Sequence, residues 1–203
     1  MTEKQLLASG KGFLDLAFEM QEAVPSTRLQ RVLAAYSWAN SGEVLDIVID
    51  NMQTLRKAGL LEDAFLDAWS SNKHGTPYWD MGFTKYMFGL LDRKRLRELS
   101  DPLPPADPLT VYRGVAGKDE EERRVLGYAW TLDLQLATWF AKYRKASYGL
   151  PDPAVYQARI AHEHVLAYLG KRYRNEGEIL LLPERLRDVA LVPCVPPPGQ
   201  LSD

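Results

Sequence analysis

The sequence is short of cysteine, histidine and long apolar runs. Of its 203 residues only Cys194 is a cysteine, so no disulfide can form within the chain, and a reducing, cytoplasmic setting is expected. Of three histidines, two stand in His162-Glu163-His164, where they could share a strand face, but no third ligand is nearby in sequence, and no metal is expected. No apolar stretch approaches the roughly 20 residues of a membrane helix, so no membrane partner is expected. The N-terminal residues lack the basic-then-apolar layout of a secretion signal. No Gly-x-Gly-x-x-Gly, phosphate loop or Cys-x-x-Cys appears. Charge of one sign is missing too. With 25 basic against 27 acidic side chains the net charge is −2, which excludes a broad cationic surface.

What is present is ordinary globular material: 46% hydrophobic and 26% charged residues. A chain this long buries roughly two-thirds of its unfolded surface or more, so it needs no covalent staples. The pattern changes near residue 101, and the expected class is α+β. Residues 1–100 read as helices. Leu6, Phe13, Leu16 and Met20 fall at helical spacing, and Pro25-Ser26-Thr27 starts a further helix through Leu29, Val32, Leu33 and Tyr36. Ser41 is expected to cap one long helix that ends at Gly59. Phe83, Tyr86, Met87, Leu90 and Leu91 form the apolar face of another. Trp38, Trp69, Tyr78 and Trp79 are expected in the core. This region is expected to cap a ligand cleft or recognise a target.

Residues 101–108, rich in proline, read as an extended joint. Beyond it the pattern shortens to strands at 109–115, 129–131, 154–160, 165–169, 178–182 and 189–192, with a helix from Leu134 to Tyr143. Residues 109–195 would form the second domain, and 196–203 a loose tail.

Three segments of this half carry chemistry. Tyr112-Arg113-Gly114 sets an arginine on a strand, suited to a phosphate or diphosphate, beside a glycine that admits a ligand to the backbone. Ala129-Trp130-Thr131 leads through Leu132-Asp133 into a helix containing Phe140-Ala141. Glu176-Gly177-Glu178 precedes an apolar strand. Residues two apart on a strand share a face, and paired carboxylates suit an oxocarbenium-like transition state. Together these parts describe a site for cleaving a glycosidic bond in a phosphate-bearing nucleoside. Trp130 belongs either to the core or to a stacked ligand, and Thr131 either to a site or to a helix cap. Arg144, in the basic run Lys142-Tyr143-Arg144-Lys145, reads first as part of a solvated face, with a diphosphate contact from the helix end as the alternative. His162 and His164 read as structural.

The order of these motifs resembles the mono-ADP-ribosyltransferase family of the arginine–serine–glutamate class, over about residues 109–192. The family's aromatic-Arg-Gly motif matches Tyr112-Arg113-Gly114, and its Glu-x-Glu matches Glu176-Gly177-Glu178. Its Ser-Thr-Ser aligns with Ala129-Trp130-Thr131, so alanine stands at the first serine. The resemblance implies a split β-sandwich binding NAD as substrate. Arg113, Gly114, Tyr112, Trp130 and Thr131 would line the NAD site. Glu178 would stabilise the cationic ribose, and Glu176 would assist an arginine acceptor. The implied activity is transfer of ADP-ribose to a macromolecule, protein favoured over nucleic acid. The implied setting is a bacterial or phage toxin or effector with an antitoxin or immunity partner. A NAD glycohydrolase and a catalytically dead binding module of the same fold are the alternatives.

Overall fold

The computed structural model describes residues 2–71, 81–170 and 177–194. The chain divides into two compact units, Met1–Leu99 and Ser100–Asp203. It is an α+β protein.

The described part of the first unit is helical: α1 (Glu3–Leu7), α2 (Phe13–Glu19), α3 (Arg28–Trp38), α4 (Val44–Asp50), α5 (Met52–Lys57), α6 (Leu61–Ser71), α7 (Met81–Leu90) and α8 (Arg93–Leu99). Polar side chains decide where these helices begin. Thr27 accepts the Gln30 amide at 3.2 Å, and the Gln30 side chain accepts the Thr27 and Ser26 amides, closing a capping box on α3. Asp63 of α6 accepts the Phe13 amide at 2.7 Å, joining α6 to the start of α2. The Tyr36 hydroxyl donates to Asp67 at 2.6 Å, joining α3 to α6. Phe13, Leu16, Leu33, Leu55, Leu61 and Phe65 fill the space between.

Four expectations need correction here. The helix expected to run to Gly59 breaks at Asn51, whose side chain donates back to the Ile47 carbonyl at 2.9 Å and offers the backbone an alternative to the helix. Ser41 caps nothing; Glu43 stands at the cap of α4, and its carboxylate accepts the Asn40 amide instead. On α7 the buried face is Thr84, Met87 and Phe88, continuing to Leu91, while Tyr86 is 61% exposed. Phe88 sets that rotation by packing edge-on to Phe65 and Trp69 at 5.4 and 5.3 Å. Trp38 is exposed, its indole donating to the Gln21 carbonyl, whereas Trp69 stacks on Phe65. Tyr78 and Trp79 lie outside the described residues.

The second unit is built on β1 (Leu109–Val115), β2 (Ala129–Thr131), β3 (Ala154–Ile160), β4 (Val165–Leu169), β5 (Glu178–Leu181) and β6 (Arg187–Val192), with α9 (Glu120–Arg123) and α10 (Leu134–Tyr148) between strands. The strands form one antiparallel sheet in the order β4-β5-β2-β1-β3-β6. β1 pairs with β3 along its whole length, from Leu109↔Ile160 to Val115↔Ala154. The join between β1 and β2 rests on one pair, Tyr112↔Thr131. The sheet is therefore two well-knit halves meeting at a narrow seam.

One face buries Leu109, Val111, Trp130, Ala158, Ile160, Val165, Ile179 and Leu181. The other carries α10, whose Ala137 and Ala141 pack on Val155. The proline-rich joint is extended but pinned. Asp101 donates its amide to the Tyr168 carbonyl and accepts the Gly170 amide at 3.0 Å. Asp107 accepts the His162 amide, and the His162 ring donates to the Ala106 carbonyl at 2.7 Å. His162 thus serves the fold. Of the tail, residues 195–203 lie outside the described residues.

Candidate active site

The seam between β1 and β2 is where the chemistry-bearing residues gather. β2 lies between β1 and β5, and the register sets Tyr112 opposite Thr131 and Thr131 opposite Glu178. Cross-strand partners project from the same face, so these three side chains form one row across three strands. Arg113 is next in line and starts from the opposite face, in the row of Trp130 and Ile179.

The local geometry shows how Arg113 still meets that row. Continued pairing would set Gly114 opposite Ala129, but the strands part after a single pair. The Arg113 guanidinium occupies the gap and donates to the main-chain carbonyl of Ala129. Gly127 makes room, since a β-carbon there would collide with that guanidinium. Trp130 fixes the same turn, its indole donating to the Gly127 carbonyl at 2.8 Å. Gly127 carries no spacing signal in the sequence, and its role is visible only in the fold.

The electrostatics are unusual. Burial and then the nearby Arg144 charge push the Arg113 pKa down to about 9; Glu178 opposes that shift and Arg124 adds to it. Burial, with a smaller contribution from Arg124, also lowers Arg144, while Tyr148 raises it. The Nε atoms of Arg113 and Arg144 are both buried without a hydrogen-bond partner. Buried donors are normally satisfied, and a buried charge normally has a counter-charge. Among the described residues, Arg144 and Arg124 are close enough to repel Arg113, and Glu178 offsets that repulsion in part. Arg124, in left-handed conformation at the end of α9, was not singled out by the sequence.

The remaining expected residues fall out as follows. Trp130 is core, 2% exposed, and cannot stack on a ligand without leaving its cluster. Gly114 is needed by the helix. A β-carbon there would run into the Ala137 carbonyl and Ala141 amide of α10, so that face admits no ligand. Tyr112 is half-buried against α10. Thr131 is 5% exposed, and its hydroxyl accepts the Asp133 amide at 3.1 Å. Asp133, not Thr131, caps α10, accepting the Gln135 and Leu136 amides at 2.7 and 3.2 Å. Glu178 opens β5 half-exposed. Gly177 before it has φ +57°, a conformation that favours glycine, and its carbonyl accepts the Leu132 amide. Glu176 lies outside the described residues. No family model, curated protein or solved structure matches the chain.

Proposed function

We propose that the second unit binds NAD and transfers its ADP-ribose to a macromolecular acceptor. The observation that carries this reading is the adjacency of β1, β2 and β5. It joins Arg113, Thr131 and Glu178 at one seam, with Glu178 acting electrostatically on Arg113. A sheet held together by one residue pair at that seam suits the split β-sandwich that the motif order implies.

In this reading Arg113, Arg144 and Arg124 take the diphosphate, whose negative charge relieves their mutual repulsion. Glu178 faces the nicotinamide ribose. As the bond from ribose C1′ to the nicotinamide nitrogen breaks, its electron pair leaves with nicotinamide, and Glu178 stabilises the cationic sugar. The acceptor nucleophile then bonds to C1′ and gives up its proton. Alanine at the family's first serine is tolerable because Arg113 leans on the main-chain carbonyl of residue 129, which any residue supplies. Glu176 would assist a guanidinium acceptor, which favours arginine. A toxin or phage effector role with a neutralising partner follows from the resemblance.

The test is labelled NAD incubated with the protein and a bacterial lysate, beside Glu178→Gln. Label on macromolecules that only the intact protein produces is the expected result. Nicotinamide release without such label would make the protein a NAD glycohydrolase. Absence of both from folded protein would leave a binding module.

A further inference from the structure

Nothing in the backbone at residue 127 calls for glycine. Gly177 has the positive φ that favours glycine; Gly127 does not. Gly114 is required by the fold, since a β-carbon there would meet main-chain atoms of α10. At Gly127 the three atoms nearest to a β-carbon would be Nη2, Cζ and Nη1 of Arg113, the last two at 2.5 and 2.9 Å. The far end of a long side chain can swing away from a methyl group, where a helix backbone cannot. Alanine at 127 would therefore cost the fold little. What it would displace is the guanidinium.

The guanidinium has reason to leave. Arg144 and Arg124 repel it, and a charge withdrawn from water gains by returning there. Two things keep it in: the Ala129 carbonyl, which accepts from it, and the room at Gly127. That room is itself fixed. The Gly127 amide donates to the Val125 carbonyl at 2.9 Å, and the Gly127 carbonyl accepts the Trp130 indole at 2.8 Å. The neighbouring Tyr128 carbonyl accepts the Leu181 amide of β5 at 3.0 Å. Trp130 belongs to the core, so this turn is anchored to the sheet. An arginine held in place before its anion arrives has already lost the side-chain freedom that binding would otherwise remove.

We propose that Gly127 is a positioning residue, which sets the Arg113 guanidinium for the substrate diphosphate by leaving out a β-carbon. This rests on the reading of Arg113 as a diphosphate contact. It adds that the contact is governed from residue 127, which acts through Arg113 and not on the ligand.

The experiment is calorimetric titration of the full chain with inorganic pyrophosphate, for the parent, Gly127→Ala, Arg113→Met and the double variant. Methionine keeps an apolar stem at 113 and removes the charge. Gly127→Ala and Arg113→Met should each weaken binding by about tenfold. Adding Gly127→Ala to Arg113→Met should change affinity by about twofold at most, since no guanidinium is left to displace. The melting temperature of Gly127→Ala should match the parent. No binding by the parent, or full affinity in Arg113→Met, would overturn the diphosphate reading and this inference with it. Weakened binding in Arg113→Met beside full affinity in Gly127→Ala would overturn this inference alone. So would equal weakening by Gly127→Ala in the parent and in Arg113→Met, or a lowered melting temperature of Gly127→Ala that Arg113→Met does not restore. Either result would make residue 127 a structural position.

Discussion

The two units differ in how completely their buried polar groups are satisfied. In the helical unit, polar side chains close the structure: Thr27 and Gln30 cap a helix, Asp63 and Asp67 join helices, and Asn51 ends one. In the sheet unit, positive charge is gathered under cover, and two guanidinium nitrogens are left without a partner. Hydrogen bonds that serve folding are complete in the protein itself. The two unsatisfied atoms lie in the sheet unit, in the arginine cluster of the proposed site.

That contrast can be broken or sharpened by substitution. The largest effect is expected from Gly114→Val, which drives side-chain atoms into the backbone of α10; a loss of about 3 kcal/mol should appear in denaturant titration. Glu178→Gln should lower NAD turnover by about a hundredfold, about 2.7 kcal/mol in barrier, with a stability loss of no more than about 1 kcal/mol from the lost attraction to Arg113. A stability loss with full turnover would make Glu178 a structural residue like those of the helical unit. Gln30→Ala should cost about 1 kcal/mol of stability through the lost cap and leave NAD turnover intact.

The smallest effect is the most telling, because its sign differs between the units. Arg144→Met removes one of three repelling charges and should raise the stability of the ligand-free protein by about 0.5 kcal/mol. Pyrophosphate should raise the melting temperature of the parent more than that of this variant. The pH dependence has a definite direction. Arg113 has a folded pKa of about 9, below its unfolded value, so its unfavourable contribution is constant at neutral pH and is relieved only above about pH 9. No step in NAD turnover between pH 6 and 8 should therefore come from Arg113.

Much of the sheet unit was legible as sequence. Leu109–Val115, Ala129–Thr131, Ala154–Ile160 and Val165–Leu169 are short apolar runs between proline, glycine and charge, and each forms a strand with those limits. The helical unit read less well. Periodicity gives α7 an apolar side, but Phe88 reaches Phe65 and Trp69 only in the folded unit, and that pairing turns Tyr86 outward. At the seam, Tyr112, Arg113 and Glu178 were legible through motif order. Gly127 and Arg124 were not, since one makes room for a side chain fourteen residues earlier in the chain and the other acts through space. Trp130 stayed open between core and ligand until the fold buried it, because an aromatic inside a motif reads the same whether it packs or stacks.

The pinned joint changes where the second unit begins. Composition draws the boundary at Leu109, where the prolines end, yet Asp101 and Asp107 hold the amides of Gly170 and His162. A fragment cut at Leu109 would leave the His162 amide facing water before β4, and the Gly170 amide and Tyr168 carbonyl facing water at its end. A fragment cut before Asp101 keeps them covered. Trimming this protein by its prolines would fray the sheet, whereas trimming it by its hydrogen bonds would not.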